Sequence, residues 1–78
     1  MEENFEYFSQ LFCDELSIDK QLISASTNFR DIPTWGSLNA LLLISRINEE
    51  YDVFLTSSDL ALCTTVLDIY SIIIRQKK

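Results

Sequence analysis

Glycine and proline occur once each in 78 residues, at Gly36 and Pro33, three positions apart. Tight hairpins need residues that take positive φ, glycine above all, so this chain has few ways to fold strand back on strand. The expectation is an all-α fold. The same two residues punctuate the chain. Pro33-Thr34-Trp35-Gly36-Ser37-Leu38 closes a long polar loop, and the most apolar run, Ala40-Leu41-Leu42-Leu43-Ile44, follows it.

Helical periodicity supports this reading on both sides of the loop. Phe5, Phe8, Phe12 and Leu16 recur at spacings of three and four, with Leu11 alongside, which predicts an amphipathic helix over residues 2–16 whose aromatic stripe is core. Glu2, Glu3 and Glu6 suit the positive end of its dipole. A second helix is expected from at or next to Ser37 to about Tyr51. Its core stripe is Ala40, Leu43, Ile44, Ile47 and Tyr51, with Leu41 at the edge. Leu38 and Leu42 fall on the opposite face with Ser45, Arg46 and Glu49, which suggests a contact surface.

Between the two helices, residues 17–34 lose the period. Ser24, Ser26, Thr27 and Asn28 are turn and cap formers, and Pro33 prevents a helix from running through Ile32. Leu22, Ile23, Phe29 and Ile32 are the candidates for tying so long a loop down. Towards the C-terminus, Thr56 with Asp59 fits a capping box for a short helix to about Leu62. Thr65 with Asp68 fits another, opening a last helix that carries Val66, Ile69, Tyr70 and Ile73. The β-branched run Ile72-Ile73-Ile74 has no second strand of similar strength to pair with, so it is read as helix. The expected fold is a small four-helix bundle, three longer helices and one short one, in a single domain over residues 1–78.

Composition narrows the function. The net charge is −6, and without the basic tail of Arg75, Lys77 and Lys78, residues 1–74 carry three bases against twelve acids, a net of −9. Such a surface repels phosphate backbones and anionic lipids, so no nucleic acid and no membrane insertion are expected, and basic partner proteins are favoured. Cys13 and Cys63 make no disulfide framework and are read as small buried hydrophobes in a reducing compartment, with a cytoplasmic location. The chain contains no histidine, so zinc binding and Ser-His or Cys-His catalysis have no basis. Trp35 and Asn39 stand where a nucleophile elbow needs glycines. No catalytic residue is assigned.

One residue keeps a chemical role. At a helix N-terminus, Ser37 faces unpaired backbone N–H groups and the positive end of the dipole, a favourable place for a phosphate. The residues alone leave open whether Ser37 is only a cap or an attachment point.

The pattern resembles the acyl carrier protein family. The resemblance rests on Thr27-x-Phe29-x-Asp31 in the loop, Ser37-Leu38 opening a helix, Glu49-Glu50-Tyr51-Asp52-Val53 closing it, and Thr64-Thr65-Val66 opening the last. It runs from about Phe5 to Ile73, and the order and spacing of these elements make it specific. It implies a helical bundle with a long first loop, and 4′-phosphopantetheine carried as a phosphodiester on Ser37. The thiol of that arm would hold acyl groups as thioesters, in fatty-acid, polyketide or related biosynthesis. Implied partners are a phosphopantetheinyl transferase and acyl-transferring or acyl-processing enzymes, with the carrier a monomer. Gly36, Leu38, Leu42, Arg46 and Glu49 are the residues expected to meet them.

Two departures from the family pattern stand out. Gly36 occupies the position where the family usually has Asp, and brings no side-chain acceptor to the cap. Asn39, Leu42 and Asn48 replace acids common in fatty-acid carriers, which implies more apolar partners. The Gly36 departure also motivates a second reading, a protein-interaction module that keeps the fold without the arm.

Overall fold

The computed structural model describes residues 5–77, with side chains as far as Gln76. The elements are α1 (Phe5–Leu16), α2 (Ser37–Tyr51), α3 (Ser57–Ala61) and α4 (Val66–Lys77). Two 3-10 turns, Lys20–Leu22 and Phe29–Asp31, lie in the loop after α1. All four expected helices are present. The expected start of the first, at Glu2, lies outside the described residues.

Helix ends follow local chemistry. α1 stops at Ser17, which takes the left-handed conformation at φ 54° in place of the glycine usual there. The Ser17 and Ile18 amides bond back to the Asp14 and Cys13 carbonyls, the paired bonds of a Schellman ending. α2 ends at Asp52 in the same left-handed region. The Thr56–Asp59 capping box forms in both directions and opens α3. At α4, the Thr64 and Thr65 amides bond to the Asp68 carboxylate while the Asp68 amide bonds to Thr65 Oγ1. Those backbone N–H groups, Thr65's first, hold the Asp68 carboxyl below its ordinary range.

The apolar stripes meet as the periodicity predicts. Phe8, Phe12 and Leu16 of α1, Leu43, Ile47 and Tyr51 of α2, and Val66, Ile69 and Ile73 of α4 form one buried cluster. Each large side chain removed from water there contributes about 1.5–3 kcal/mol. Cys13 and Cys63 are buried and free, and burial raises both thiols above their ordinary value.

The long loop is tied down, though not by all the expected residues. Phe29 and Ile32 join the core, Ile23 packs against it, and Leu22 is exposed. Leu22 sits in a 3-10 turn capped by Asp19, whose geometry turns its side chain outward. Backbone bonds then strap the loop to the start of α4: Val66 N–H to the Thr27 carbonyl at 3.1 Å, and Leu67 N–H to the Ala25 carbonyl at 3.0 Å. This strap holds the middle of the loop, and Phe29, Ile32 and Trp35 then pack the stretch that leads to Ser37 onto the core.

Candidate functional site

Ser37 occupies the first position of α2, and Gly36 is its N-cap. Gly36 is extended, at φ −171° and ψ 173°, and makes no side-chain bond to the first turn. Its carbonyl accepts from the Ala40 amide at 2.8 Å, the first bond of the helix. The helix therefore begins with N–H groups that its cap leaves to other acceptors. Trp35, which packs on Phe29 with ring centroids 4.7 Å apart, anchors the chain just before the cap. Ser37 itself is exposed.

Beside Ser37 opens a cleft of about 520 Å³ between the end of the loop, α2 and α3. Its walls include Trp35, Ala40, Leu41, Ile44 and Leu60, with Arg30 as the charged member. Leu41, expected at the edge of the core stripe, instead lies on this open side at 59% exposure. The reason is the size of α3: a five-residue helix covers the neighbouring face of α2 only in part. Leu38 and Leu42 are exposed as their phase requires, at 69% and 46%. Glu49 is exposed further along α2.

Three polar positions expected at the surface also make contacts within the chain. Arg46 is half-buried, with Nη1 3.4 Å from the Glu15 carboxylate of α1, so it braces the two helices. Asn48 is half-buried as well. Its amide donates to the Leu55 carbonyl at 3.1 Å and accepts from the Leu55 amide at 2.7 Å, holding the segment that leads to α3. Asn39 bonds to the Thr34 carbonyl and steadies the turn before Ser37. Of the polar replacements read as surface chemistry, these two asparagines make backbone bonds within the chain.

Sequence reasoning missed the cleft and the role of Arg30. Its guanidinium bonds to the Leu60 carbonyl at 3.0 Å and to the Cys63 carbonyl, thirty or more positions away. Among the described residues no cluster of His, Cys, Asp and Glu suitable for a metal occurs. No helix of the described residues is long and apolar enough to cross a membrane.

The phosphopantetheine attachment site family matches residues 6–73, most of the chain. The chain belongs to that family. It is a non-catalytic phosphopantetheine-carrier domain, and the family implies, generically, a phosphopantetheinyl transferase and acyl-processing enzymes as partners. The fold agrees. The solution structure of a holo acyl carrier protein from Geobacter metallireducens superposes with a TM-score of 0.77 at 20% identity, over 91% of this chain and 82% of that one. At that identity the likeness establishes the fold alone. No curated protein sequence matches the chain.

The residues at the start of α2 fit such an arm. Ser37 offers an exposed hydroxyl at a helix end whose cap supplies no side-chain acceptor. Apart from its chain neighbours Trp35 and Ser37, nothing lies within 4 Å of the place a Gly36 Cβ would occupy.

Proposed function

We propose that Ser37 carries 4′-phosphopantetheine and that the chain, a single carrier domain over residues 1–78 acting as a cytoplasmic monomer, serves fatty-acid, polyketide or related acyl-transfer biosynthesis. The observation that carries this reading is an exposed serine at the first position of α2, at the mouth of an apolar cleft, within the family-matched region. In the loading step, Ser37 Oγ forms a bond to the pantetheine-bearing phosphorus of coenzyme A. The pyrophosphate bridge breaks and the nucleotide leaves. A chain without histidine has no base of its own near neutral pH, so the transferase accepts the hydroxyl proton. The first-turn N–H groups and the positive end of the α2 dipole would stabilise the resulting anionic phosphodiester.

The arm's terminal thiol, once in place, holds acyl groups as thioesters. The protein supplies attachment, an apolar cleft beside the anchor, and a surface to dock on. That surface comprises Gly36 at the cap and Leu38, Leu42, Arg46 and Glu49 along α2. Leu38 and Leu42 suit partner enzymes with an apolar docking patch.

The test is intact mass after incubation with coenzyme A and a broad-specificity transferase. One added phosphopantetheine is expected on the wild type and none on Ser37→Ala. Addition that persists in Ser37→Ala would remove the assignment. No addition to the wild type would favour the interaction-module reading that Gly36 motivates.

A further inference from the structure

The cleft beside Ser37 contains a charge that the carrier reading leaves without a task. Arg30 lines it together with apolar walls from Trp35, Ala40, Ile44 and Leu60. Its guanidinium is held in a fixed plane. Nη1 bonds to the Cys63 carbonyl, Nη2 bonds to the Leu60 carbonyl, and the central carbon lies 4.6 Å from the centre of the Phe29 ring. A guanidinium has five N–H donors, so two carbonyl bonds leave donors to spare.

Carbonyls satisfy hydrogen bonds without neutralising the charge. Among the described residues no carboxylate lies within ion-pair distance of Arg30, whereas Lys20 meets Glu6 and Arg46 meets Glu15. Among the described residues Arg75 likewise has no ion pair, but it lies exposed near the end of α4, whereas Arg30 lines the cleft beside Ser37. Arg30 is solvent-exposed, so its attraction for an anion rests on geometry: a pre-oriented fork matches carboxylate or phosphate oxygens two at a time.

We propose that Arg30 binds an oxyanion brought into the cleft from Ser37, a claim that rests on the attachment of the arm there. Two sources share this chemistry: the phosphodiester beside Ser37, and a carboxylate that ends the acyl cargo. The second would make the protein selective for half-thioesters of dicarboxylic acids over simple acyl groups.

The experiment compares the wild-type protein unmodified, with the bare arm, with a butyryl cargo, and with a succinyl cargo of equal carbon count. Intact mass establishes each state first, so failure to load the arm is seen separately as failure of the Ser37 assignment. The Arg30 Nε–Hε signal is then followed by ¹⁵N NMR. A shift on attachment of the bare arm identifies the phosphodiester as the anion. A shift that appears with succinyl and not with butyryl identifies the cargo carboxylate. In Arg30→Met, the charge-dependent changes at the Leu60 and Ala61 amides should vanish. An Arg30 signal that is the same in all four states, or that moves equally for butyryl and succinyl and not for the bare arm, overturns the proposal and leaves Arg30 as a brace for α3.

Discussion

Gly36 is the residue where this chain departs from its family at the most sensitive place, and its geometry says what the departure costs. The backbone there is extended, a conformation any residue adopts, and a Cβ would meet nothing within 4 Å beyond its chain neighbours. Glycine is therefore not required by the fold. What it withholds is an acceptor for the first-turn N–H groups and a negative charge at the positive end of the helix. Gly36→Asp should stabilise the protein by roughly a few tenths of a kcal/mol, the usual difference between a glycine and an aspartate cap, seen as a small rise in Tm. The same variant should be modified by a broad-specificity transferase faster than the wild type. A fall in Tm would mean that the first-turn N–H groups already have acceptors that the new carboxylate disturbs.

Among the elements, α2 divides its faces between three tasks. Leu43, Ile47 and Tyr51 build the core, Ala40, Leu41 and Ile44 wall the cleft, and Leu38 and Leu42 face outward beside Ser37. Because Leu42 lies off the buried stripe, Leu42→Glu should change stability by no more than about 0.5 kcal/mol, as surface substitutions do. It should weaken docking of an acyl-processing partner by placing a charge against an apolar patch, measured as a lower kcat/KM with the holo protein as substrate. A large drop in Tm would show that Leu42 is packed. The remaining helices were legible because their signals are local. The Thr56–Asp59 and Thr65–Asp68 boxes each span four residues, and both formed as read. Leu41 was not legible. Its side chain lies next to the core stripe, and only the shortness of α3 leaves it uncovered.

For the molecule as a whole, the long loop is part of the core. Phe29 is fully buried although it lies in a 3-10 turn, and it supports both the Trp35 ring and the Arg30 guanidinium. Phe29→Ala should cost about 3–5 kcal/mol, as a core phenylalanine does, measured by denaturant unfolding. That is a large part of the 5–15 kcal/mol typical of a whole domain. A cost near that of an exposed substitution would mean that the loop is not integral to the bundle.

The sequence by itself determined the helices, their caps, the main core stripes and the place of Ser37 at the start of α2. Each of these depends on residues within a turn or two of one another, where periodicity and capping chemistry act directly. Tertiary structure decided which loop residues are buried, what Arg46 and Asn48 contact within the chain, and that a cleft opens beside Ser37 with Arg30 on its wall. Those outcomes depend on partners brought together by folding: Glu15 for Arg46, Leu55 for Asn48, Leu60 and Cys63 for Arg30. A side chain's pattern in sequence records which way it faces on its own helix, and packing determines what it meets there.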